Sequence, residues 1–309
     1  MTPANYFLHP ARFIQAPELL ERQFTPEEGE AYARWLATSH YENFHVVSLL
    51  LPRRLRQDFY NVYAFCRWAD DLGDEIGDPA ESERLLAWWS GELSALYAGR
   101  ATHPVFAALA RTNGRHGLPI GPFQDLIHAF LQDQKVARYQ TREDLLAYCR
   151  CSANPVGRLV LCLCGYRDEE RWRLSDFTCT ALQLANFWQD VGLDLEKGRI
   201  YIPLDDLARH GAGAADVMER RPTPAFRRAM ADLVQWARDL FHRGLPLARM
   251  VDRRLSVDIE LFSRGGLRVL DKIEEIGYDV LSRRPAISRR ERVLLLAGVL
   301  LRSVLPRAA

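Results

Sequence analysis

Apolar residues recur every three to four positions along almost the whole chain. No comparable series of alternating apolar and polar residues is present, so the sequence restricts itself to a helical fold. Val62, Phe65, Cys66 and Ala69 form one helical stripe, and Leu85, Leu86, Trp89, Leu93 and Leu96 form another. Further helices are predicted over residues 28–38, 102–112, 122–136, 142–165, 168–195, 225–250, 256–276 and 288–303. Turn chemistry separates them. Gly77, Asp78 and Pro79 end the first stripe, Asn113 to Pro122 holds three glycines and two prolines, and His210 to Ala214 and Arg221 to Pro224 supply two more breaks. None of these is long or biased enough to be a linker, and no sequence repeat is visible. With 309 residues, 48% of them hydrophobic, the chain can bury a sizeable core, and the expectation is a single all-α domain over 1–309.

Charge excludes some partners. Lys plus Arg number 41 against 40 Asp plus Glu, so no global field draws in nucleic acid, and any charged ligand must be recognised locally. The opening MTPANYFLHPARF lacks a basic segment followed by a long apolar one and does not read as a secretory signal. The longest apolar run, Val293 to Leu301, is too short to span a bilayer. A cytoplasmic location is expected, with peripheral contact at the inner face of the membrane through Arg53 to Arg56 or the final Leu-rich helix as an open alternative. The six cysteines include two C-x-C pairs, Cys149/Cys151 and Cys162/Cys164. Helical i, i+2 residues point to different faces, which fits buried thiols better than a zinc site.

One local concentration of charge is at odds with its surroundings. In FCRWADDLGDE, Phe65 to Glu75, four carboxylates stand directly behind aromatic and apolar residues. Asp70 and Asp74 are i, i+4 on one helix face. A second acidic helix, ALQLANFWQDVGLDLEKGRIYIP, repeats the spacing with Asp190 and Asp194 and adds Asn186 one turn earlier. A single D-x-x-x-D is common on solvated faces. Two of them in largely apolar helices need compensation, because like charges at i, i+4 repel by roughly 0.2–0.5 kcal/mol even when exposed and by more where water is excluded.

Hard divalent cations supply that compensation. Mg2+ takes oxygen ligands, often only one or two carboxylates, and completes its octahedron with water and phosphate oxygens. Two ladders facing a bundle cavity would hold Mg2+ against a diphosphate and ease its departure from an allylic carbon. Arg67 precedes Asp70 by three residues, while Lys197 and Arg199 closely follow Asp194. Planar guanidinium groups suit bidentate phosphate contact, although Arg67 is equally placed to pair with Asp70 or Asp71. Phe65, Trp68, Phe187 and Trp188 are available to stabilise a carbocation, and each also suits a core.

These residues resemble the squalene and phytoene synthases. VYAFCRWADDLGDE resembles that family's first aspartate-rich motif, and QLANFWQDVGLDLEKGRIYIP its second, with the likeness running from about His40 to Pro203. HYENF at 40–44, LLPRRLR at 50–56 and CRCSANPVGRLVL at 149–161 narrow it toward the bacterial hopanoid-pathway hydroxysqualene synthases. The resemblance implies an isoprenoid synthase-type helical bundle with a central cavity. It implies Asp70, Asp74, Asp190 and Asp194 as catalytic Mg2+ ligands, with Asp71 and Asn186 as supporting ligands. Arg67, Lys197, Arg199, His40, Asn43 and Tyr201 become diphosphate contacts. Tyr63 would orient the diphosphate or cation, and Asn154 would position a water or phosphate, although SANPVG, Ser152 to Gly157, also reads as a plain helix interruption because Asn154 precedes Pro155.

Three positions depart from the family pattern: Gln189 stands where many members have arginine, Cys151 where squalene synthases have a tyrosine, and Glu42 where some have a cation. All three touch the first condensation, of two farnesyl diphosphates, and leave both ladders intact, with Lys197, Arg53 or Arg54 as alternative sources of the missing charge. The implied reaction is therefore Mg2+-dependent ionisation of C30 presqualene diphosphate, rearrangement and capture of water, giving hydroxysqualene and diphosphate without nicotinamide. This is a carbon-oxygen lyase step between upstream and downstream enzymes of squalene synthesis. The alternatives are condensation of farnesyl diphosphate to presqualene diphosphate, squalene or dehydrosqualene, and a non-catalytic lipid-binding or assembly protein of the same fold.

Overall fold

The structure is a computed structural model that describes residues 6–39 and 53–304. Among the described residues every regular element is helical, and the one β-contact is an isolated parallel bridge between Arg138 and Ile200. The all-α expectation holds. The chain divides into two compact units, one formed by residues 1–135 and 158–167, the other by 136–157 and 168–309.

The first unit contains helices α1 (Pro10–Phe13), α2 (Pro17–Leu20), α3 (Pro26–Ser39), α4 (Arg56–Asp74), α5 (Pro79–Tyr97), α6 (Pro104–His116) and α7 (Gly121–Asp133). Helix α4 is its centre, packing on α3, α5, α6 and α7. Of the expected stripe, Val62, Phe65 and Ala69 lie on the buried side of α4 together with Phe59 and Leu72, while Cys66 is half-buried at its edge. Phe65 and Trp68 are fully buried in an aromatic core with Trp89, Phe106 and Phe123, the Trp68 and Trp89 rings stacked at 5.0 Å. Each such side chain contributes about 1.5–3 kcal/mol by leaving water. Both aromatic residues are therefore committed to packing inside this unit, which corrects their expected availability to a cation. Helix α6 runs on to His116 before Gly117 ends it in a left-handed conformation, so the loop expected from Asn113 begins four residues later.

The second unit is built around α10 (Glu169–Gln189), which packs against α8 (Arg142–Ser152), α14 (Pro224–Gly244) and α15 (Arg253–Glu275). Short helices α11 (Val191–Glu196), α12 (Leu204–Arg209) and α13 (Ala214–Met218) follow α10, and α16 (Arg289–Val304) lies on α15. Three long helices expected from the sequence are each divided, the 225–250 segment passing after Gly244 into a 3-10 turn over Leu245–Arg249. The 142–165 segment breaks at Ala153, giving α8 and α9 (Asn154–Leu163), within the interruption expected over Ser152 to Gly157, because Pro155 has no amide to donate back into a continuous helix. The 168–195 segment breaks at Asp190, whose ψ of 15° takes it out of helical geometry.

Candidate functional site

The first acidic motif occupies the last turn of α4. Burial of Phe65, Trp68, Ala69 and Leu72 on one side turns Asp70 and Asp74 toward solvent, Asp70 with its side chain 44% exposed. Asp71 falls on the buried side instead. Burial pushes its carboxyl above the ordinary aspartate range, and the neighbouring Arg67 guanidinium, in contact with it, pulls it back. Arg67 also lies 3.3 Å from Asp70. Burial opposes the Arg67 charge, but Asp71 and Asp70 outweigh it and raise its pKa. The arginine expected on the diphosphate thus begins as the partner of two aspartates. Gln134 fixes the end of the helix by donating to the Gly73 carbonyl at 3.0 Å. Tyr63, half-buried, stands one turn before Arg67 on α4.

The second motif survives its helix break. The Asp190 amide donates to the Asn186 carbonyl and the Asp194 amide to the Asp190 carbonyl, both at 2.9 Å, so the three residues keep one-turn spacing across the junction. Ala185, Phe187, Trp188 and Val191 are buried, while Asn186 is exposed and Asp190 and Asp194 are half-buried. Gly198, at φ +74°, then makes a left-handed turn that side chains rarely adopt. It returns Arg199, whose amide donates to the Asp194 carbonyl at 2.9 Å, beside the end of the ladder. Lys197 is exposed on the same turn.

Beyond Arg199 the chain is extended and tied down, with the Ile200 amide donating to the Ala137 carbonyl at 2.8 Å. Tyr201 is buried, and its ring stacks on Phe187 at 3.8 Å with an interplanar angle of 8°. Tyr139 and Tyr148 complete an aromatic wall around this pair. Tyr201 thereby fixes the segment carrying Arg199 to the helix carrying Asn186. Asn154, also buried, accepts a 2.9 Å hydrogen bond from the Thr180 hydroxyl and joins the start of α9 to α10.

One residue escaped the sequence reading. Arg284 reaches Asp190 in a two-pronged contact, its Nε 2.6 Å from Oδ1 and its Nη2 3.2 Å from Oδ2. Asp190 holds the Arg284 pKa up. The side chain of Gln189, at the place of the missing family arginine, donates to the Pro285 carbonyl at 2.6 Å. Asp190 thus has a guanidinium partner from a residue 94 positions away, whose neighbour Pro285 is held by the glutamine.

His40 and Asn43, with Glu42, lie outside the described residues. Within either unit, the described residues draw no three acids, histidines or cysteines into one metal-binding group. Each ladder instead presents two carboxylates one turn apart, an all-oxygen donor pair that fits Mg2+ completed by phosphate and water. The six cysteines are all reduced.

The squalene/phytoene synthase family model matches residues 37–291. The chain is 35% identical to the phytoene synthase of Thermus thermophilus over 269 residues, 87% of this chain and 91% of that protein. Among solved structures, it resembles squalene synthase HpnC from Alicyclobacillus acidocaldarius, with 48% identity and a TM-score of 0.79 over 82% of this chain and 95% of the other. A dehydrosqualene synthase solved with a ligand gives 25% identity and a TM-score of 0.80, covering 90% and 97%. A helical fold of the isoprenoid synthase type, two aspartate ladders with an arginine on each, and a match across most of its length make this chain a member of the squalene/phytoene synthase family.

Proposed function

We propose that the protein ionises presqualene diphosphate and delivers water to the resulting cation, forming hydroxysqualene. The observation that carries an isoprenoid diphosphate as substrate is the pairing of outward-facing carboxylates with arginines at both motifs, Arg67 on Asp70 and Arg284 on Asp190. Asp70, Asp74, Asp190 and Asp194, with Asn186 in support, would hold Mg2+, while Asp71, on the buried side of α4, holds Arg67 rather than the ion. When bound, Mg2+ neutralises charge developing on the departing diphosphate. Arg67, Arg284, Lys197 and Arg199 meet the diphosphate oxygens with charge-assisted hydrogen bonds. Tyr63 orients the leaving group, and Asn154, held by Thr180, positions the water.

Two features support presqualene diphosphate rather than farnesyl diphosphate. Cys151 replaces a phenol with a thiol, a weak hydrogen-bond donor, at a position tied to the first condensation. The likeness of HYENF, LLPRRLR and CRCSANPVGRLVL to the hopanoid-pathway hydroxysqualene synthases is the second, while the 48% identical structure is named a squalene synthase and does not separate the two readings. Arg284 favours the second reading, a condensing synthase, because it brings a guanidinium to Asp190, next to Gln189; the likeness to phytoene synthases points the same way. Product analysis with Mg2+ and without nicotinamide separates the two. Hydroxysqualene from presqualene diphosphate, with farnesyl diphosphate untouched, is expected; turnover of farnesyl diphosphate alone would replace this reading by the second. Asp70→Ala and Asp190→Ala should each lower turnover at least about 100-fold, near 2.7 kcal/mol of barrier, in folded protein.

A further inference from the structure

Helix α16 turns an apolar face outward. Val293, Leu294 and Leu301 are 65%, 70% and 67% exposed, whereas Val299 is buried. At 100° per residue, Val293, Ala297, Leu301 and Leu294 occupy an arc about 100° wide, with Arg290 on the same arc one turn earlier. Arg289, Arg290 and Arg292 are exposed around the start of the helix. The one acid of this helix, Glu291, is turned inward, held by Arg268 and by Lys272 at 2.7 Å, and these contacts keep its carboxyl far below the usual range. The outward face is therefore apolar with a purely basic end. No helix among the described residues is long and apolar enough to cross a membrane.

We propose that this face of α16 docks the protein on an anionic phospholipid surface, its leucines entering the interface and its arginines meeting lipid phosphates. An amphipathic helix of this composition lies in the plane of the interface. Charge complementarity selects anionic lipid over a second copy of the chain, whose same face carries the same arginines. The inference stands on α16 alone and does not depend on the reaction.

The test is flotation of the full chain with vesicles, in the absence of substrate. Phosphatidylcholine vesicles are compared with vesicles containing phosphatidylglycerol, at 0.1 M and 0.5 M salt. Binding to the anionic vesicles only, weakened by salt, is expected. Replacing Arg289 and Arg290 together by Ala should weaken it about 30-fold, roughly fivefold for each charge near the surface. Leu294→Glu should abolish it with helicity unchanged. Equal binding to both vesicle types, no binding to either, or binding indifferent to these substitutions overturns the proposal. So does a dimer in sedimentation that Leu294→Glu dissociates. The salt comparison uses the unaltered protein, so the outcome stands even if a variant misfolds.

Discussion

Asp190 shows how one residue can be legible in type and illegible in surroundings. Its i, i+4 relation to Asp194 followed from spacing alone, and the backbone preserves it. Its arginine partner could not be inferred, because Arg284 carries no local pattern and arrives from a distant segment. Gln189 illustrates the same limit. Read as a loss, it is an anchor in the structure, donating to the Pro285 carbonyl next to Arg284. Gln189→Ala should leave the fold intact, at a cost of about 1 kcal/mol for one hydrogen bond, while raising KM for the diphosphate substrate several-fold with little change in kcat. Arg284→Met should act in opposite directions on two ligands. Calorimetry should find tighter Mg2+ binding in the absence of substrate and weaker inhibition by inorganic diphosphate.

At the scale of elements, helical periodicity placed the long helices and missed the short ones, α1, α2, α12 and α13, which are too brief to repeat a stripe. Pro155 announces the break at Ala153, whereas the break at Asp190 occurs within a continuous apolar pattern, since tertiary packing maintains the stripe across a kink that periodicity cannot register. Close helix crossings were equally invisible. Gly29 on α3 leaves no room for a side chain: a β-carbon there would lie 2.3 Å from the Pro104 carbonyl oxygen and 2.8 Å from the Ala108 amide of α6. Because both obstacles are backbone, Gly29→Ala must push the two helices apart. A loss of about 1–3 kcal/mol is expected, read as a lower urea midpoint with an unchanged slope. In the second unit the stack of Tyr201 on Phe187 joins an extended segment to a helix, and no spacing rule reaches between such elements.

For the whole molecule, two buried titratable groups give stability opposite dependences on pH. His103 caps α6 by accepting from the Val105 amide at 3.3 Å, and burial lowers its pKa to about 3. The unfolded chain takes up a proton near pH 6.5 that the folded chain refuses, so stability is lost as pH falls from about 6.5 toward 3. Asp258 is the reverse case. Burial, helped by Asp252, raises it to about 7, and neither carboxyl oxygen has a hydrogen-bond partner. Its contribution is complete below about pH 4 and is lost as pH rises toward 7. Each slope reaches at most about 1.4 kcal/mol per pH unit. Asp258→Asn should therefore raise Tm relative to the parent by an amount that grows from pH 4 to pH 8. His103→Asn, which retains a capping side chain, should be most costly near pH 7 and less so toward pH 4.

The arginines on Asp70 and Asp190 bear on how the resting protein meets ions in solution. A bare divalent ion at Asp190 must evict Arg284, and one at Asp70 must loosen an Arg67 that stays paired with Asp71, so both pairs resist stray metals, the first more strongly. An ion arriving with a diphosphate brings the anion that rehouses the displaced arginine, and the exchange becomes nearly charge-neutral. Metal uptake should consequently be conditional on substrate, and departure of diphosphate should let the arginines close again and expel the metal behind it.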